Sequence, residues 1–241
     1  MRVGIFATCL VDVFFPEVGI SMVRVLRRLG FDVDVPEGAT CCGQPAFNTG
    51  YWEEARRAAK GLIRALEPYD AVVAPSGSCT AMVRHMYPRL LEEEPEWSER
   101  AKGLASKCYE FSEFLVHQHG LVDLGARLEG VATYHHSCHM RRELRVTDAP
   151  LKLLARVRGL TLQELPRGED CCGFGGTFAV KMGGISTAMA DEKADHILST
   201  GADFLVGSDM GCLMHLGGRL SRRGKSVQVL HVAQVLDRGL S

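Results

Sequence analysis

Residues 38–44 read GATCCGQ and residues 168–174 read GEDCCGF. This return of Cys-Cys-Gly half a chain later constrains the fold more than any other feature. Composition alone gives about 0.3 adjacent cysteine pairs in such a chain; two occur here, each followed by glycine. The flanks repeat as well. DAVVAPSGSC, ending at Cys79, matches DFLVGSDMGC, ending at Cys212, and FATC (6–9) matches HHSC (135–138). RLGFDVDVPEGATCCG matches VRGLTLQELPRGEDCCG with one inserted residue, and CYEFSEFL (108–115) resembles VLHVAQVL (229–236). Each half therefore carries Cys, Cys-Cys-Gly, Cys, with gaps of 31 and 36 residues in the first and 32 and 39 in the second. Repetition of this kind marks duplicated structural units, here 1–125 and 126–241.

The local patterns repeat in step with the cysteines. Short apolar, β-rich runs occur at 3–7, 31–35, 71–74 and 107–110, then at 131–135, 160–165, 204–207 and 227–230. Helical patterns lie between them. Pro16 to Leu29 opens with a proline suited to a first turn and offers Ile20, Val23, Leu26 and Leu29 as an apolar face. Trp52 to Leu66 offers Ala55, Ala59, Leu62 and Leu66, with Glu53 and Arg57 spaced to pair. Asp148 and Pro150 mark a helix start, Gly201 closes a helix over Ile185 to Ser199, and Glu92 to Ser106 reads as a solvated helical insertion. Alternating strands and helices predict an α/β fold of two related halves, each a parallel β-sheet flanked by helices, joined by a pseudo-two-fold. Sites in such sheets form beyond the carboxyl ends of the strands. Cys9, Cys79, Cys138 and Cys212 each follow a predicted strand, so four cysteines from three loops are expected at one end of each sheet.

Composition excludes several classes. The net charge is −1 and no basic block stands out, so a nucleic-acid backbone is not an expected partner. The opening MRVGIFATCLVDVFF is broken by Asp12 and lacks a small-x-small cleavage site, so it reads as a buried strand rather than a secretory signal. No apolar run reaches the length of a transmembrane segment. A soluble, cytoplasmic protein is expected. Nine cysteines, an odd number, then favour metal or redox chemistry over a disulfide framework. Cys108 has no counterpart in the second half and is expected to be structural or idle.

Four thiolates in a partly buried pocket need positive charge beside them. Structural zinc sites favour cysteines two to four residues apart, and the chain has no Cys-x-x-Cys. Adjacent cysteines bend awkwardly onto one ion but reach two different irons of a cluster. The reading is an iron–sulfur cluster of the [4Fe–4S] kind, one or two per chain. Its metal-binding residues are Cys9, Cys41, Cys42 and Cys79, and Cys138, Cys171, Cys172 and Cys212. Zinc and metal-free thiols stay open as alternatives. Gly43, Gly173, Gly175 and Gly176 would let the backbone approach the cofactor closely. CGFGGTF does not otherwise fit a dinucleotide fingerprint. His139 follows Cys138 as a proton relay or a donor to sulfur, while His135 is assigned to a strand and to burial. No Walker motif and no nucleophile–base–acid set is present.

The motif C-x31-CCG-x35-C with GSCTAMV, and HHSCH…CCGFGGTF…DMGC, resembles the CCG-type cysteine-rich domain over nearly the whole chain. That domain occurs in heterodisulfide reductase and in iron–sulfur subunits of glycolate oxidase and anaerobic glycerol-3-phosphate dehydrogenase. A free-standing chain of two such domains is most similar to the lactate-utilization members. The resemblance implies an electron-transfer subunit that is not catalytic alone, with other subunits of a complex oxidising L-lactate or a related hydroxy acid as partners. A heterodisulfide-reductase-like thiol–disulfide oxidoreductase and a zinc-stabilised scaffold are the alternatives. Where heterodisulfide reductase has the last cysteine of each set, this chain has Met82 and His215. Met82 is assigned to packing. His215, one turn after Cys212, is a candidate ligand, hydrogen-bond donor or proton carrier.

Overall fold

The computed structural model describes residues 1–239. Eight strands form two sheets. The first contains β1 (Arg2–Ile5), β2 (Asp32–Asp34), β3 (Ala71–Ala74) and β4 (Cys108–Glu110) in the order β2-β1-β3-β4. The second contains β5 (Arg127–His135), β6 (Arg158–Gln163), β7 (Phe204–Gly207) and β8 (Gln228–His231) in the order β6-β5-β7-β8. Every pairing is parallel, and the strand order of one sheet is that of the other. The α/β fold with two similar halves is thus the one the repeat implies. No helix among the described residues is long and apolar enough to cross a membrane.

Side chains on a strand alternate between faces, and this alternation divides the interior. Val3, Ile5, Ala71 and Val73 share one core with Ala132, Tyr134, Val206 and Leu230 of the second sheet. Phe6, Val72 and Ala74 turn the other way, onto Ala55, Ala59, Leu62 and Leu66 of the helix Trp52–Leu66. Leu205 of β7 likewise faces outward, onto Ala190, Ala194 and Ile197 of the helix Gly183–Ser199. The shared core also takes Met22, Val25 and Leu26 of the helix Pro16–Arg28 and Val232, Val235 and Leu236 of the helix Val232–Asp237.

Several local expectations need adjustment. Ile20 is 48% exposed, and the buried face of its helix is Val18, Met22, Val25 and Leu26. A three-residue step drifts around a helix, whereas steps of four, three and one keep to one face. Glu53 pairs with Arg56 at 2.6 Å, and Arg57 pairs with Glu54 at 2.9 Å, three residues apart rather than four. The helix Ala149–Leu154 starts where Asp148 and Pro150 mark it, with the Asp148 carboxylate taking Lys152 and His117 rather than a backbone N–H of the first turn. The helix Pro95–Ala105 keeps Glu96 and Glu99 in solvent but buries Ala101 and Leu104, so it is packed on the core rather than merely solvated. β5 starts at Arg127, ahead of its apolar run, with a register irregularity between Arg127 and Gly130.

At the join, Ser76 and Asp209 form an antiparallel bridge. They are equivalent positions of the repeat, and a residue that meets its own counterpart marks the pseudo-two-fold. Ser76 Oγ donates to Asp209 Oδ2 at 3.1 Å, and the same oxygen accepts from the Ser78 N–H at 2.9 Å.

Candidate metal centre

The helix caps at the join place the last cysteine of each set. Ser76 accepts from Cys79 N at 3.2 Å and starts the helix Gly77–Ala81. Asp209 accepts from Gly211 N at 3.1 Å and starts the helix Met210–Arg222. Cys79 and Cys212 therefore each sit in a first helical turn. Cys9 opens the helix Cys9–Phe14 just beyond β1, and Cys138 precedes the π-helical turn His139–Glu143 just beyond β5. Thr8, before Cys9, holds a φ of 64°, a strained value for a β-branched residue.

The Cys-Cys-Gly elements make the same turn twice. Gly43 and Gly173 have φ of 80° and 86°, and their N–H groups donate to Cys41 Sγ and Cys171 Sγ, each at 3.4 Å. Glycine is required by the left-handed backbone and by space: a Cβ on Gly173 would lie 2.6 Å from Ser186 O, and one on Gly43 3.2 Å from Ala58 Cβ. The helix behind each turn is the wall against which it packs.

The eight cysteines of the two sets line a single cavity of about 230 Å³ at the join. The sequence predicts one gathering per sheet; the pseudo-two-fold brings the two gatherings to opposite sides of one space. Cys42 Sγ lies 3.4 Å from Cys79 Sγ. All nine cysteines are free thiols, and Cys108 is fully buried in apolar core away from the cavity, where burial pushes its thiol up to about 12.

The thiols of each set act on one another. Interaction with Cys42 and Cys9 holds the Cys41 thiol down, while Cys9 and Cys42 are pushed up, first by their interaction with Cys41 and then by burial. In the second half, Cys138 and Cys172 hold Cys171 down and are themselves pushed up in the same way. One thiolate per set is thus supported by its neighbours, and each further ionisation meets like charge in a partly buried space. A fully ionised quartet needs a cation among the sulfurs. This donor set fits a thiophilic metal or an iron–sulfur cluster; Cys9, Cys41, Cys42 and Cys79 would hold one and Cys138, Cys171, Cys172 and Cys212 the other.

The remaining residues separate into those on the cavity wall and those behind it. Gly175, Gly176 and His139 are on it. Gln44 Nε2, which only donates, lies 3.3 Å from His139 Nε2, so the His139 proton is on Nδ1, 3.5 Å from Cys138 Sγ. A glutamine of the first half thereby sets the tautomer of a histidine that points its N–H at a cysteine of the second. His215 is not on the wall. Ser186 Oγ donates to Gly173 O at 2.8 Å and accepts from His215 Nε2 at 3.2 Å, so His215 braces the second Cys-Cys-Gly turn from behind. Met82 is buried in the core of the first half.

Sequence reasoning misses the setting of His135. It ends β5 and is 1% exposed, as expected, but one ring nitrogen, Cys172 Sγ and Cys212 Sγ all lie within 4.8 Å of one another. Burial pushes its imidazole down to about 3, so the ring is neutral. The available signal is the alignment of Phe6 with His135, a buried apolar position occupied by a polar ring.

The cysteine-rich domain model named CCG matches residues 3–84 and 132–217, one copy in each half. The chain is 54% identical to lactate utilization protein A 2 of Bacillus cereus (strain Q1), over 100% of both chains. It is 53% identical to lactate utilization protein A of Geobacillus sp. (strain WCH70), over 98% of this chain and 99% of that one. Among solved structures, a hypothetical protein from Helicobacter pylori shares the fold with a TM-score of 0.71 at 11% identity. That match covers all of this chain and 49% of the other, so the present chain spans about half of that longer one.

Proposed function

This chain belongs to the CCG cysteine-rich domain family, and we propose that it is an iron–sulfur electron-transfer subunit of a system that oxidises L-lactate. The observation that carries the reading is the pair of four-cysteine sets on one cavity, joined to full-length likeness to proteins named for lactate utilization. The two halves, 1–125 and 126–241, each contribute one set, and each set is suited to a [4Fe–4S] cluster. Such a cluster, when bound, accepts and releases one electron at a time.

Oxidation of L-lactate to pyruvate releases two electrons and two protons. Among the described residues, the cavity wall holds no lysine or arginine to pair with a carboxylate, and this reading assigns substrate binding and the first electron acceptance to partner subunits. This chain's own residues hold and tune. Eight cysteines supply thiolates. Gly43 and Gly173 direct N–H groups at Cys41 and Cys171, which stabilises added negative charge. His139 presents its Nδ1–H to Cys138.

Zinc remains the second reading, favoured by the close approach of His135, Cys172 and Cys212, a spacing suited to one ion. Anaerobic purification with iron, sulfide and zinc analysis separates the two. Iron with equimolar sulfide and a signal in electron paramagnetic resonance on reduction supports electron transfer; zinc retained without iron contradicts it.

A further inference from the structure

The two cysteine sets differ in what stands behind them. Phe6, just past β1, and His135, at the end of β5, are three residues before Cys9 and Cys138 and occupy equivalent places in the repeat. Phe6 is fully buried in an apolar core that includes Cys42. His135 is equally buried beside Cys172 and Cys212, and neither of its ring nitrogens has a hydrogen-bond partner among the described residues.

A second exchange lies on the neighbouring helix. Gly43 faces Ala55 and Ala58 as Gly173 faces Ser186 and Met189, which sets the register between the helices Trp52–Leu66 and Gly183–Ser199. In that register Leu62 corresponds to Lys193, and each is 1% exposed. Lys193 donates to Arg167 O at 2.6 Å. The second set is therefore backed by an imidazole and an amine where the first is backed by a phenyl ring and an isobutyl group.

We propose that His135 donates its ring N–H to the ligand sulfur of Cys172 or Cys212, and that this makes the second centre the more readily reduced of the two. The inference rests on the iron–sulfur reading above. Buried polar atoms in folded proteins take a partner, and the sulfurs of Cys172 and Cys212 lie within 4.8 Å of a ring nitrogen. His135 is not among the residues of the cavity wall, so it meets sulfur from behind and leaves the metal to the cysteines. A hydrogen bond to a ligand sulfur stabilises the more negative, reduced state and raises the potential. Electrons entering the first half then collect in the second.

The test is a redox titration of the anaerobic protein, followed by electron paramagnetic resonance. The wild-type protein shows two midpoints, and Cys172→Ser assigns the higher to the second set. His135→Phe, which copies the first half, lowers the higher midpoint toward the other and leaves the lower one in place. Phe6→His raises the lower midpoint. Pulsed measurements on His139→Gln protein, which lacks the other histidine N–H aimed at a cysteine of the second set, show with ¹⁵N-labelled histidine the weak coupling of a hydrogen-bonded nitrogen on the second centre. That last measurement serves even where His135→Phe does not fold. Unchanged midpoints in both variants, a single midpoint in the wild-type protein, no histidine coupling, or the strong coupling of a metal-bound nitrogen overturns the inference while leaving the iron–sulfur reading intact. A protein that takes up no iron overturns both.

Discussion

Glu110 ends β4 and is fully buried. One carboxylate oxygen caps the next helical turn, accepting from Ser112 N at 2.8 Å and Glu113 N at 3.1 Å; the other has no partner among the described residues. Burial dominates over the capping donors and pushes the carboxyl from 4.5 up to about 8. Between those limits the folded state holds a proton that the unfolded state has lost. Stability therefore falls as pH rises from 4.5 to 8 and is flat beyond. The window of about 3.5 pH units, at about 1.36 kcal/mol each, makes the total about 5 kcal/mol. Glu110→Gln removes the ionisation while its amide oxygen still accepts the capping bonds. Urea denaturation of wild-type and variant protein from pH 5 to pH 8.5 checks this. The histidine contributions are common to both proteins, so the wild-type stability falls by several kcal/mol relative to that of the variant across the range, and the variant is the more stable at the alkaline end. Parallel curves would refute the reasoning, because they would mean that Glu110 is ionised throughout or hydrated in the folded state.

The equivalent cap in the second half is His231, which accepts from Ala233 N at 3.1 Å and is pushed down to about 4 from 6.5 by burial. Its sign is opposite: the unfolded state binds the extra proton, so stability is lost as pH falls from 6.5 to 4, by about 3 kcal/mol. His231→Asn keeps a cap and flattens that acid limb in the same denaturation series. Gly43→Ala forces a left-handed φ on alanine and lowers stability by about 1–2 kcal/mol; Gly173→Ala adds a Cβ 2.6 Å from Ser186 O and shows the larger drop in Tm by calorimetry. Cys42→Ser and Cys172→Ser, each confined to one set, lose about half of the iron apiece, read by metal analysis of the anaerobic proteins.

Much of this architecture is legible in the sequence because the repeat supplies two readings of each element. β3 and β7 are short apolar runs with matched ends, and they coincide with the predicted 71–74 and 204–207. The helix Trp52–Leu66 falls on its expected limits because four of its buried residues keep one helical face. The helix Pro16–Arg28 is harder, since both Ile20 and Val18 suit an apolar face and only packing beside Val11, against the outer core of the second half, selects Val18. The gathering of cysteines follows from parallel sheets, whose loops meet at the carboxyl edge. That both gatherings open onto one cavity does not follow from either half alone. It depends on Ser76 meeting Asp209 across the pseudo-two-fold, a long-range pairing with no local signal. The part of His139 is half legible: its place beside Cys138 is in the sequence, but the partner that orients it, Gln44, comes from the other half. His135 is hidden by its own burial, which fits a plain strand terminus until the nearby sulfurs are seen.

The central claim is that the eight sulfurs around the join hold inorganic iron and sulfide. Its most direct test is the iron, sulfide and zinc content of the anaerobically isolated protein, read together with its paramagnetic spectrum after reduction. Iron and acid-labile sulfide are expected in equal amounts, filling one or both cysteine sets, with a signal that appears on one-electron reduction. Stoichiometric zinc, or a metal-free protein that still supports lactate oxidation when returned to its partners, would contradict it.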